Sequence, residues 1–225
     1  GVEGVNASFS VKSYQFEKVK NVIKNLIQSN VKFKSQRNEN HAFLRLKIKL
    51  KKEIISLGKK DIDPNQCSGK HLDPISWEKL MMKKDSLIID TRNSYESDIG
   101  TFKSSLKVDT KNFRDFPKWI QSNKDKLKNK KIGMFCTGGI RCEKASNYLI
   151  KLGFKNIFQL NGGIIEYLKI TKNKNKFWKG ECFVFDERVS LNTNLKKGKY
   201  SQCFACRSAI TNEEKKSRFF KDGEH

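Results

Sequence analysis

Three short runs, Leu87-Ile88-Ile89, Lys131-Ile132-Gly133-Met134-Phe135 and Asn156-Ile157-Phe158-Gln159-Leu160, constrain this chain most. Each has the length of a strand and a largely continuous apolar character. Between them lie helical patterns, at Phe116 to Leu127 and at Glu143 to Leu152, the second stopped by Gly153. Ahead of them Asp73-Pro74-Ile75-Ser76-Trp77 reads as a helix start, with Asp or Ser as N-cap and Pro beside it, and the helix continues to about Met82. Strands alternating with helices predict a parallel α/β sheet. In such a sheet the functional site lies beyond the carboxyl ends of the strands.

The flanks differ in pattern. Residues 6–11 alternate loosely as a strand, Phe16, Val19, Val22, Ile23, Leu26 and Ile27 recur at helical spacing, and Leu44, Leu46, Ile48 and Leu50 alternate with Arg45, Lys47 and Lys49. This predicts a small α+β domain over 1–60, and the polar stretch 61–71, with Pro64 and Gly69, reads as a linker. The main domain is expected over 72–172, and the extension 173–225 looks too small for a core of its own.

Lys and Arg number 47 against 24 Asp and Glu, a formal charge of +23. Such an excess points to a polyanionic partner, although Lys- and Asn-rich composition alone also charges a surface. No run of about 18 apolar residues is present, which excludes a helical membrane span. The six cysteines are too few and too scattered for a disulfide scaffold and suit a reducing compartment. No leader pattern opens the sequence, and Gly1-Val2-Glu3-Gly4 reads like the interior of a longer chain.

The stretch Cys136-Thr137-Gly138-Gly139-Ile140-Arg141-Cys142 places a cysteine at a predicted strand end, then a glycine loop, then a helix N-terminus. Loop N–H groups and the positive helix end favour thiolate over thiol. Gly138 and Gly139 would let the backbone turn its N–H groups inward, and Arg141 could pair with an anionic substrate. Upstream, Asp90, Arg92 and Glu96 stand at a second strand end and could brace the loop by ion pairs. On spacing alone, a buried structural cysteine and a solvated charge cluster are the alternatives.

Both motifs, in this order, resemble the rhodanese family over roughly Leu72 to Thr171. The related phosphatases carry five residues between Cys and Arg, whereas four intervene here, which disfavours a phosphatase. The resemblance is closer to the rhodanese-type tRNA uridine hydroxylases. Cys136 to Ala145, Asn161-Gly162-Gly163-Ile164-Ile165-Glu166-Tyr167, Phe183-Val184-Phe185-Asp186-Glu187-Arg188, Gly4-Val5-Asn6 and Leu46 to Ile54 all look like that family. It implies a rhodanese-like sheet domain, a ferredoxin- or acylphosphatase-like N-terminal domain lacking its first strand here, and a cysteine-containing tail. It also implies oxygen-dependent hydroxylation of the tRNA wobble uridine to 5-hydroxyuridine, with an electron donor it does not identify and with Cys136 as the essential cysteine. A cytoplasmic location follows, or an organelle matrix if residues precede Gly1.

The role of Cys136 stays open between a thiolate that adds to uridine C6 and a persulfide or oxidised sulfur. Cys142 is then either a resolving thiol or a packing residue. Cys203 and Cys206 have the spacing of half a zinc site, which a single pair cannot close without His225, Cys182 or further residues. Cys67, Cys182, His41 and His71 read as incidental. Arg45, Lys47, Lys49, Lys51 and Lys52 are the expected RNA-backbone contacts, here the anticodon arm of tRNA. Phe177 and Trp178 among lysines offer a second stacking surface. A sulfurtransferase and a non-catalytic RNA-binding module are the rival readings.

Overall fold

The computed structural model describes residues 1, 3–28, 31, 33–206 and 208–221, with the backbone alone at 173. They divide into two compact units, Asn6–Leu50 on one side and Gly1–Val5 with Lys51 onward on the other. The boundary thus falls at residue 50 rather than near 60.

In the smaller unit the expected helix forms as α1 (Phe16–Ile27), ending at Gln28 in a left-handed turn with φ 49°. Neither expected strand joins a ladder among the described residues. Leu44, Leu46, Ile48 and Leu50 are 81–100% exposed, so the alternation lacks the buried face and the paired neighbour that stabilise a strand.

The larger unit is built on β1 (Lys70–Leu72), α2 (Pro74–Met81), β2 (Ser86–Asp90), α3 (Ser94–Ser97), β3 (Gly100–Phe102) and β4 (Leu106–Lys107). There follow α4 (Phe116–Ser122), α5 (Lys124–Leu127), β5 (Lys131–Phe135), α6 (Ile140–Lys151), β6 (Ile157–Leu160) and α7 (Gly163–Thr171). Five strands form a parallel sheet in the order β1-β6-β5-β2-β4. Its two faces are both covered. Ile89, Ile132 and Met134 pack with Phe116, Ile120 and Leu149 on one side, and Ile88 and Phe135 with Trp77, Ile164 and Tyr167 on the other. Two-sided burial is why β2 and β5 read as continuous apolar runs.

Local chemistry sets the helix ends. The Asp73 carboxylate accepts from the Ile75 and Ser76 N–H groups at 2.9 and 3.0 Å, capping α2 with Pro74 in its first turn. The pattern from Phe116 to Leu127 breaks in two at Asn123, whose side-chain amide donates to the Trp119 carbonyl at 2.9 Å.

The stretch 61–71 is no free linker. It supplies β1, and Asn147 of α6 donates to the Asp63 and Cys67 carbonyls at 2.9 and 2.8 Å, while Ser146 Oγ accepts from Gly69 N at 2.9 Å. Lys70 and His71 are exposed on the sheet edge, so β1 shows no apolar pattern.

The extension completes the core rather than trailing from it. Its strand β7 (Trp178–Gly180) pairs antiparallel with β3, and β8 (Cys182–Phe183) pairs with β9 (Ser190–Leu191). A last hairpin joins β10 (Ser201–Gln202) to β11 (Ala209–Ile210). Trp178 is buried, with its ring 5.2 Å from Phe102 and its indole N–H donating to the Gly180 carbonyl at 2.9 Å, so it offers no surface for stacking. Cys182 is buried in the same cluster. Trp178→Ala is expected to lower unfolding free energy by about 3–5 kcal/mol, read from urea denaturation followed by circular dichroism. Unchanged stability would show that the extension is dispensable to the domain.

Candidate functional site

Cys136 follows β5 directly and sits where the chain turns into α6, beyond the carboxyl ends of the parallel strands. Its side chain is 1% exposed. The turn is made by Gly139, the residue before the helix, at φ 98°. Its N–H donates to Cys136 Sγ at 3.1 Å. A β-carbon on Gly138 would meet nothing within 4 Å, so the conformational demand falls on Gly139 and not on both glycines.

Burial alone would push the Cys136 thiol up. It is outweighed by a hydrogen bond with Cys142, the positive charge of Arg141 and the N–H groups of Arg141 and Gly139, which together bring the pKa down to about 5. Cys142 moves the opposite way. Burial comes first among the causes, and its hydrogen bond to Cys136 and the negative sulfur beside it keep the proton on Cys142. Thr91 Oγ1, which donates to the Phe135 carbonyl at 2.9 Å, lies 3.7 Å from Cys142 Sγ. The two buried thiols therefore share one negative charge, held at Cys136.

Arg141 is not free to meet an anion. Its two terminal nitrogens donate to the two oxygens of Glu96 at 2.6 and 2.7 Å, and both side chains are buried. Burial would lower the Arg141 pKa, but the Glu96 carboxylate more than offsets this and the guanidinium stays charged. Arg141 is thus a positioning and charge-supplying residue. Glu96 also accepts from Asn93 N at 3.2 Å, as part of the capping box of α3.

Asp90 and Arg92 brace a neighbouring layer. Arg92 donates to both Asp90 oxygens at 2.9 and 2.6 Å, to the Glu96 carbonyl at 3.2 Å and to the Gly100 carbonyl at 2.5 Å, with its guanidinium 5.4 Å from the Trp178 ring. The pair ties the end of β2 to α3, β3 and β7.

Several residues that hold the loop and its helix lay outside the expected set. Gly163 packs so close that a β-carbon would stand 2.5 Å from the Cys136 carbonyl and 2.7 Å from that of Thr137. The next two N–H groups, of Ile164 and Ile165, donate to those carbonyls at 3.0 and 3.2 Å. The paired glycines at 162 and 163 were the available signal. Lys144 of α6 is buried and is gripped by Glu3 and Glu53 and by the Ile55 carbonyl, the last at 2.9 Å. These groups border a cleft of about 250 Å³ that Ile140 of the loop also lines. His71 is paired too, its Nε2 lying 2.8 Å from Glu143. Thr137 Oγ1 is buried and makes no hydrogen bond among the described residues, which leaves a polar atom in the loop for a ligand.

The remaining expected residues lie elsewhere. Arg45, Lys47 and Lys49 are exposed in the smaller unit, and Lys51 and Lys52 are exposed at the start of the larger one's main segment. Cys203 is buried and accepts from Cys206 N at 3.4 Å, while Cys206 is exposed. No three His, Cys, Asp or Glu side chains converge as a metal site among the described residues, and His225 lies outside them. No described helix is long and apolar enough to cross a membrane.

The parallel sheet and the loop that ends β5 define a rhodanese-like domain. The rhodanese-like family model matches residues 74–169, and the UPF0176 acylphosphatase-like domain model matches residues 1–54. This pair of domains defines the UPF0176 family, and the chain belongs to it. Among solved structures, the rhodanese-like domain of an Anabaena species is 16% identical over 49% of this chain and 78% of that one, with a TM-score of 0.40. A Staphylococcus aureus rhodanese-like domain protein is 22% identical over 44% and 90%, with a TM-score of 0.37. Reduced CoADR-RHD of Bacillus anthracis is 20% identical over 46% of this chain, with a TM-score of 0.36, and the match spans only 17% of that protein's length. The rhodanese-like match points to an enzyme-like activity of the sulfurtransferase-related kind.

A thiolate ultraviolet absorbance absent from Cys136→Ala is expected to persist as pH falls from 8 and to disappear with a midpoint near 5. The sign follows from the depressed pKa: the stability it contributes is complete above the ordinary thiol value of about 8.5 and lost as pH falls through about 5. A midpoint near 8.5 would refute the assigned environment. Gly163→Ala is expected to destabilise by at least about 1–2 kcal/mol, from its φ of 68° alone, in a thermal or urea melt.

Proposed function

We propose that this protein hydroxylates C5 of the tRNA wobble uridine, giving 5-hydroxyuridine, with molecular oxygen as the oxidant. One combination supports the reading: an enclosed thiolate at Cys136 in a chain that also carries the UPF0176 N-terminal domain. Uridine C5 is a poor nucleophile until a group adds to C6. Attack of the Cys136 thiolate at C6 breaks the C5–C6 double bond and delivers its electron pair to C5. C5 then forms a bond to oxygen, loses its proton, and expels the thiolate as the double bond returns. The balance is one uridine, one oxygen molecule, two electrons and two protons in, with 5-hydroxyuridine and one water out. A diffusible two-electron donor supplies the electrons.

Arg141 keeps the sulfur ionised through its charge, and Glu96 holds Arg141 in place. Thr137 Oγ1 is available to a base oxygen or nitrogen. Exposed Arg45, Lys47, Lys49, Lys51 and Lys52 would take the phosphates of the anticodon arm, whose loop bases can be splayed out of the stack. The proposed setting is the cytoplasm. The second reading, sulfane sulfur transfer through a Cys136 persulfide, draws on the rhodanese-like match over 74–169 and uses the same amide cradle.

Nucleoside mass spectrometry decides between them. In cells lacking the activity, the intact gene is expected to yield 5-hydroxyuridine in tRNA and Cys136→Ala to yield none. A soluble, well-expressed protein that yields none would overturn the hydroxylase reading, and sulfur release from thiosulfate by the same protein would favour the second.

A further inference from the structure

Beside α3, which supplies Tyr95, the extension forms a small cavity of about 150 Å³ walled by Tyr95, Phe183, Phe185, Gln202 and Cys206. Its rings meet edge to face, Tyr95 against Phe183 at 5.4 Å and Phe183 against Phe185 at 5.1 Å. Phe183 is buried on a floor shared with Ile99 and Val189, and Tyr200 packs against that floor. Phe185 is 61% exposed, so it keeps an aromatic surface in water at the cavity mouth.

The surroundings are cationic. Lys196, Lys197 and Lys199 are exposed beside the hairpin of β8 and β9, Lys197 bridging to Leu191, and Lys199 Nζ stands 5.6 Å from the Tyr200 ring. Asp186 is neutralised by Arg188 at 2.8 and 2.6 Å, which leaves Glu187 as the exposed acid of that turn. The cavity adjoins the site through one residue: Tyr95 precedes Glu96, which grips Arg141.

We propose that this cavity is a stacking subsite for one base of single-stranded RNA, next to the base delivered to Cys136. The volume is well below the roughly 300 Å³ at which drug-sized ligand sites begin and suits a single flat ring. Aromatic faces flanked by lysines are the chemistry of a base with its phosphate, and stacking on Phe185 tolerates any base. The proposal deepens the tRNA reading and rests on its RNA-binding half only.

The test compares the full chain with Phe185→Ala, Phe185→Leu and Phe185→Tyr, by fluorescence anisotropy on an RNA hairpin with a single-stranded loop and on a duplex of equal length. Ala is expected to weaken hairpin binding about tenfold or more, Leu to weaken it similarly, and Tyr to restore it, with duplex binding unchanged. Equal hairpin binding by Phe185→Ala, or equal loss on hairpin and duplex, overturns the subsite. A Leu variant as good as the wild type also overturns it, because an apolar patch for a protein partner would then suffice. Formation of 5-hydroxyuridine is scored separately, in tRNA from cells lacking the activity that carry each variant, where the electron donor is supplied. Product formed with no effect of Phe185 rejects the subsite alone, whereas a Phe185-dependent hairpin preference without product supports the subsite and rejects the hydroxylase.

Discussion

A sulfur shut off from water remains ionised only where the protein replaces the lost hydration, and the region around Cys136 is organised by that requirement. The replacements come from two adjoining elements: the Gly139 N–H from the loop, and the guanidinium of Arg141 and the Cys142 proton from the first turn of α6. An unbalanced guanidinium in the same interior would itself be costly, and Glu96 answers it from α3 with two short bonds. The site is thus a chain of compensations in which a buried negative sulfur requires a buried cation, and that cation requires a buried carboxylate.

The supporting layers extend the same logic to the backbone. Two N–H groups at the start of α7 hold the carbonyls of Cys136 and Thr137, so the loop backbone is fixed by a second helix. Arg92 gathers Asp90, the Glu96 and Gly100 carbonyls and the Trp178 ring, so α3 cannot shift without disturbing β3 and the extension. Rigid elements, rather than the loop itself, give the sulfur its position.

Much of this was legible in the sequence, and what escaped has physical causes. The β2, β5 and β6 runs and the Cys136 loop were visible because two-sided burial and a glycine turn leave strong local patterns. Strand β1 was missed because an edge strand with Lys70 and His71 outward needs only its pairing to β6. In the sequence, Arg141 reads as supporting Cys136 and able to pair with an anionic substrate, and Glu96 as bracing the loop by an ion pair. The spacing shows both charges but not that they are partners, since they lie 45 positions apart. Trp178 was read as surface because its lysine neighbours are exposed, while its own burial depends on Phe102 and Arg92, far upstream. The alternation from Leu44 to Leu50 shows the reverse case: a clean pattern with neither a buried face nor a paired neighbour to make it a strand.

The pairing of β3 with β7 has a consequence for synthesis. Phe102 receives its Trp178 cover only after some seventy-five further residues have been made, and Leu191 follows later still. A nascent chain that has emerged through α7 has the whole parallel sheet and the thiol loop, yet Phe102 still lacks its Trp178 neighbour and stays open to solvent or a chaperone. The aromatic cluster around Phe102 and the Arg92–Trp178 contact therefore form last, after every residue that ionises Cys136 has been made.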